Sequence, residues 1–268
     1  MIELFHLSFM QNALIASIMI AILCPLIGIF LVLKRHSMVG DALSHASFAG
    51  VALGIFIGVS PLVTTFIFVS MCALLIELLR NSFKQYSDLV LPIILTLSVG
   101  IAITLTTSGR ASGNIESFLF GSILTVTKGD IVLISIISLI SILTIILFYN
   151  KFLYTTFDED GAKISGINTK LLNYVFSLVV GFVISISIQI TGILVVSSLL
   201  AVPVAAAMQF KKGFKATLLY SILFSFIDVL VGLFSSYYLN CAPGGTVALT
   251  SVFTLIIAII IRRIARIE

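Results

Sequence analysis

Asp41 and His45 stand four residues apart in Gly40-Asp41-Ala42-Leu43-Ser44-His45, at the head of an apolar run that reaches Val59. On a helix, positions i and i+4 share a face, so this carboxylate and imidazole can address one ion together. The pair is a borderline donor set, suited to zinc or manganese and less suited to a soft cuprous ion. Two donors also make a loose site, as a path that must release its ion requires, whereas a closed four-ligand cage holds it. A structural reading stands beside this one, in which Asp41 caps the helix N-terminus and His45 satisfies a local hydrogen bond. A third candidate, Asp228, lies in another apolar run with Phe226, Ile227, Val229 and Leu230 around it. A carboxylate in that setting either lines a path or is paired inside a bundle.

The elements that must position these groups are membrane helices. Of 268 residues, 60% are hydrophobic and only 10% are charged, far below the roughly 25% charged of soluble domains. An ionised side chain at the centre of a spanning helix costs roughly 2.5–3.5 kcal/mol, so each one there implies a function. Apolar runs at 9–33, 41–59, 62–79, 88–107, 131–149, 171–190, 192–210, 216–239 and 246–261 predict an all-α polytopic fold. It has about nine transmembrane helices in a single membrane domain, 1–268, and no long polar segment remains for a soluble domain. Pro25 predicts a kink in the first run and Ser60-Pro61 a tight turn after the second. Pro203, with Gly192 upstream, bends the seventh run, either as a static kink or as a point that moves in gating. The stretch 108–130 is only moderately apolar, and 117–126 within it reads as a short surface helix or a re-entrant piece. Met1-Ile2-Glu3 lacks the basic region of a cleavable signal, so the first span is expected to be retained. Cys24, Cys72 and Cys241 form no C-x-x-C pair and read as packing residues rather than a disulfide or metal framework.

Charge sets the orientation. With the N-terminus outside and nine alternating spans, all of the 15 Lys and Arg residues except Arg110 and Lys128 fall on the cytoplasmic side. The positive-inside rule therefore predicts N-out and C-in. The basic residues sit at span ends, so the net charge of +4 carries no implication of nucleic acid. Glu77, three residues before Arg80, is expected in a surface ion pair. His6 and His36 fall outside the predicted spans and are expected to be solvated.

The largest cytoplasmic feature is then 150–170. Phe157 and Asp158 open it, Glu159 and Asp160 suit the positive end of a short helix, and Gly166 is a natural stop. Such a helix on the inner face is a piece that a cytoplasmic partner can grip, and a solvated loop with one helical turn is the plainer alternative. The small Ala162 suggests close approach by a partner surface. No G-x-x-x-x-G-K-[ST] loop is present, so energy from ATP has to arrive through another subunit, and no H-E-x-x-H or G-x-S-x-G suggests an enzyme.

Four stretches carry a family resemblance. They are Arg35 to Ala46 around Gly-Asp-Ala-Leu-Ser-His; Phe120-Gly121-Ser122-Ile123-Leu124 with Gly129-Asp130; Thr156-Phe157-Asp158 with Ala162 and Gly166-Ile167; and Thr191 to Val195 leading to Leu200 through Ala207. In that order they resemble the membrane permease of the zinc/manganese family of bacterial ABC transporters. The first is the most diagnostic. The resemblance implies an importer of zinc, manganese or iron in the bacterial cell membrane. It implies a homodimer or a pair with a close relative, a cytoplasmic ATPase, an extracytoplasmic metal-binding protein, and no cofactor beyond the transported ion. By the same resemblance Asp41 and His45 match metal-path positions, and Phe157, Asp158, Ala162 and Gly166 match the helix that docks on the ATPase. Gly161 departs from the family, which carries a bulkier apolar residue there, and predicts a helix that frays. A proton-coupled secondary metal transporter would also use intramembrane Asp and His, but it would need no docking helix and would tend to show two similar halves.

Overall fold

In a bilayer an apolar chain can satisfy its own backbone only as helices or a closed barrel, and this chain takes the first course. The computed structural model describes residues 8–108, 115–121, 128–193 and 195–265. His6, Arg110, Arg266 and residues 122–126 lie outside the described residues. Eleven α-helices follow in order: α1 Ser8–Leu33, α2 Ser37–Ile57, α3 Pro61–Ser82, α4 Val90–Thr107, α5 Ile115–Phe120, α6 Lys128–Phe157, α7 Glu159–Ile164, α8 Thr169–Thr191, α9 Val196–Met208, α10 Phe214–Leu239 and α11 Pro243–Ile264. A 3-10 stretch, Lys84–Leu89, leads into α4. No strand occurs among the described residues.

Eight of these helices are long and apolar enough to cross a membrane. The expected seventh run is the exception. Its helix, α9, has 13 residues, about 20 Å at 1.5 Å per residue, against a hydrocarbon core of about 30 Å. The chain breaks after Thr191 because Gly192 takes φ 80°, a left-handed conformation that glycine adopts without strain. The break is locked from a distance. The Ile193 amide donates to the Phe118 carbonyl at 3.0 Å, and a Cβ on Gly192 would lie 2.5 Å from the Gly121 nitrogen. Helix α5 is thus packed among α2, α8 and α11 instead of lying free on a surface. Pro203 lies inside α9 and is buried.

Packing at the other helices follows from small residues and aromatics. Gly50 and Gly54, one turn apart on α2, let α3 approach so closely that a Cβ on either would lie under 3.0 Å from Thr65 or from Pro61 and Thr64. Small-xxx-small spacing is how helices in lipid bring backbones together. Pro61 occupies the first turn of α3, where its missing N–H costs nothing. Nearer the end of the bundle that carries Lys34 and Arg80, Phe30, Phe152, Phe176 and Phe214 join α1, α6, α8 and α10. Their centroids are 5.3–6.1 Å apart in tilted or edge-on pairs, the arrangement the ring quadrupole favours. The Phe157 ring at the end of α6 abuts Phe214 at 6.4 Å, which extends this cluster to the foot of α7.

Candidate metal path and docking helix

Three backbone bonds fix the start of α2. Lys34 N–H donates to Phe30, Arg35 N–H to Val32 and His36 N–H to Leu31, at 2.8–3.0 Å, with Arg35 at φ 59°. Helix α2 therefore begins at Ser37, with His36 as its N-cap and no side-chain capping bond. Asp41 falls in the second turn, so it is not the cap. Its Oδ1 lies 3.9 Å from His45 Nε2, with 40% of the Asp41 side chain and 31% of the His45 side chain exposed. Met38 is exposed and Phe48 half-buried, so Met38, Asp41, His45 and Phe48 form one open stripe along α2. Between Val39 and Ala52 the other positions, including Leu43, Ala46 and Gly50, are buried, and the helix packs mainly on α3, α4, α9 and α8. Among the described residues no three His, Cys, Asp or Glu side chains gather as a metal site. One chain thus offers an ion two side-chain donors here.

Asp228 is elsewhere. It is fully buried in α10, where Thr254 of α11 donates to its Oδ1 at 2.5 Å and Thr250 donates to its backbone carbonyl at 2.9 Å. Its Oδ2 has no hydrogen-bond partner. Helix α10 packs on α11, α1 and α9, so the structure does not bring Asp228 together with Asp41 and His45.

Two expectations at the basic end are corrected. His36 is not solvated: Arg80 Nη1 lies 3.2 Å from its Nδ1, and burial, then the charges of Arg80 and Lys34, push its pKa down to about 4. The ring is therefore neutral at physiological pH and accepts from Arg80. Glu77 is not in a surface pair, being only 8% exposed and lining one small cavity with Arg80, Lys34 and Ser177. Lys34 Nζ donates to Asn173 Oδ1 at 3.0 Å and lies over the Phe176 ring at 5.4 Å. Burial pushes the Lys34 ammonium below its ordinary value, against the opposing pull of Glu159 and Glu77. Sequence spacing could not reveal this cluster, because its members come from the α1–α2 turn, α3 and α8.

The segment after α6 forms a helix and not a loose turn. Asp158 is the N-cap of α7 and accepts from the Gly161 N–H at 2.8 Å, the ordinary capping bond. A Cβ on Gly161 would lie 2.2 Å from Asp158 Oδ2, so the glycine leaves room for this cap. Lys163 pairs with Glu159 and Asp160 at 3.2 Å each. Gly166, at φ 82°, ends the helix while Ile167 N–H donates back to Ala162 at 3.0 Å. Ala162 is 0% exposed, so its small side chain seats α7 on its own chain and presents nothing to a partner. The outward residues are Phe157, 65% exposed, and Ile164, 89% exposed.

Among the described residues, a bundle of eight bilayer-length helices defines a polytopic membrane protein. The model of the ABC 3 transport family matches residues 6–262, and the chain belongs to that family. It is 48% identical over 259 residues to the probable metal transport system membrane protein of Treponema pallidum (strain Nichols), covering 97% of each chain. It is 30% identical over 255 residues to the manganese transport system membrane protein MntC of Listeria monocytogenes (serovar 1/2a, strain ATCC BAA-679 / EGD-e), covering 95% of this chain and 91% of that one. Among solved structures, PsaBC from Streptococcus pneumoniae in complex with Fab matches with a TM-score of 0.85 at 28% identity, over 96% of this chain and 93% of that one. Family membership leaves the proton-coupled carrier reading without support.

Proposed function

We propose that this chain is the membrane permease of an ATP-driven importer of a divalent transition-metal ion, zinc or manganese, in the bacterial plasma membrane. The observation that carries the reading is the Asp41–His45 pair, 3.9 Å apart on the one open stripe of α2, in a chain whose similar proteins are named for metal transport. The carboxylate supplies charge and the imidazole a nitrogen donor, a set that zinc and manganese accept. Two donors per chain leave the coordination shell incomplete. A second copy of the chain, its α2 stripe facing this one, supplies the rest, so the permease works as a dimer around one path. Asp228, buried against Thr254, holds α10 to α11 and is assigned no part in the path.

The chain does not hydrolyse ATP itself; a cytoplasmic ATPase docks on α7, gripping the outward Phe157 and Ile164, while Asp158, Ala162 and Gly166 hold the helix in place. An extracytoplasmic protein delivers the metal. The orientation is N-out and C-in, the short α9 completing a ninth crossing together with the chain that precedes it, which puts Lys34, Arg80, Lys163 and Arg262 on the cytoplasmic side. The test is reconstitution in liposomes with the ATPase and the binding protein. ATP-dependent accumulation of zinc or manganese, together with disulfide cross-linking of two copies through Met38→Cys, supports the reading. Metal accumulation driven by a proton gradient without ATP refutes it.

A further inference from the structure

We propose that Lys34, His36, Glu77 and Arg80 form a buried charged joint that transmits displacement of α7 by the ATPase to the metal pair on α2, a positioning role that rests on the function proposed above. The four side chains, with Asn173 and Ser177, line a cavity of about 20 Å³, room for about one water molecule. Three helices meet there. Lys34 and His36 form the turn that starts α2, Glu77 and Arg80 end α3, and Lys34 reaches across to Asn173 of α8 at 3.0 Å. Arg80 closes the ring on His36 at 3.2 Å.

Burying a carboxylate among cations is costly, and apolar residues would hold helices together at least as well. The cluster is therefore better explained by what it links. On one side, α7 packs on α8, and Asn173 near the start of α8 accepts from Lys34. On the other side, His36 is the N-cap of α2, and Asp41 follows five residues later, about 7.5 Å along a stiff helix. A shift of α7 moves the start of α8, pulls Lys34 through Asn173, moves the turn that Lys34 belongs to, and swings the Asp41–His45 face with it. The charges are placed where a partner's motion enters and where the metal-bearing helix begins.

The experiment uses the reconstituted complex and measures metal moved per ATP hydrolysed, thermal stability and ATPase co-purification. Glu77→Gln is expected to lower metal moved per ATP about tenfold or more, with the ATPase still bound, and Glu77→Asp to restore it. The double variant Lys34→Met with Glu77→Gln removes one charge of each sign from the cluster. It is expected to regain thermal stability without regaining coupling. Recovery of both stability and coupling in the double variant would mean that the cluster only balances charge, and would overturn the joint. Wild-type metal per ATP in Glu77→Gln would overturn it as well. Absence of ATP-driven uptake in the wild type would instead bring down the functional reading itself, and shows before any variant is made.

Discussion

Ala162→Arg and Ile164→Glu, two residues apart on α7, are expected to fail in opposite ways. Ala162 is completely buried, so an arginine there must displace the seat of the helix. Overpacking costs about 1–3 kcal/mol, and an unpaired buried charge adds to it. At roughly 2–4 °C per kcal/mol for a domain of this order of size, the thermal midpoint of the detergent-solubilised permease should drop measurably. Ile164 is nearly fully exposed, so its replacement by glutamate should leave the midpoint within about 0.5 kcal/mol of wild type. If the ATPase buries Ile164, the same change forfeits about 1.5–3 kcal/mol of apolar contact, which weakens ATPase binding roughly 10- to 150-fold. Thermal scans and titration of the purified ATPase onto the solubilised permease separate the two. A thermally normal Ala162→Arg variant, or an Ile164→Glu variant that binds the ATPase as wild type, would refute the assignment of inward and outward faces.

Three further outcomes follow from individual contacts. Asp228→Asn keeps an acceptor for Thr254 and should transport metal at the wild-type rate, whereas Thr254→Val strips the buried carboxyl of its donor and should cost about 1–3 kcal/mol in thermal stability; loss of uptake in Asp228→Asn at normal abundance would return that residue to the path. Gly192→Ala forces a side chain into a left-handed conformation, at about 1–2 kcal/mol, and onto the backbone at Phe120 and Gly121, so thermal stability should fall by more than the strain alone; an unchanged midpoint would contradict the α5–α9 interlock. In a background without Cys24, Cys72 and Cys241, a cysteine at exposed Ala242 should react with an impermeant thiol reagent from outside and one at exposed Gly213 only after permeabilisation, and labelling of Gly213 from outside would reverse the orientation.

The long spans were legible because hydropathy alone decides them: in lipid an apolar run has no alternative to a helix. What the sequence hid depends on partners far along the chain. The shortness of α9 was not legible, since the turn at Gly192 is held by the backbone of Phe118 and Gly121 on α5. The apolar run that starts at 41 placed Asp41 at a helix N-terminus, but the polar Ser37 and the small Gly40 are helical too, because the bonded turn at 34–36 starts α2 there. Spacing paired Glu77 with Arg80 on a surface, and the structure buries Glu77 in a cavity shared with Lys34 of the α1–α2 turn and Ser177 of α8. Ala162 was read as facing a partner because its size is visible in the sequence and its direction is not.

The central claim is that the α2 stripe handles metal, and Asp41→Asn tests it most directly. The substitution keeps the volume of the side chain and removes its charge, and Asp41 caps nothing, so the fold should be unchanged. Zinc or manganese accumulation by the reconstituted complex should fall at least about tenfold, at wild-type abundance and thermal stability. His45→Leu should behave the same way, and the double variant no worse than either if both donors serve one ion. Wild-type accumulation of zinc and manganese by Asp41→Asn would contradict the account and leave the pair without a role in transport.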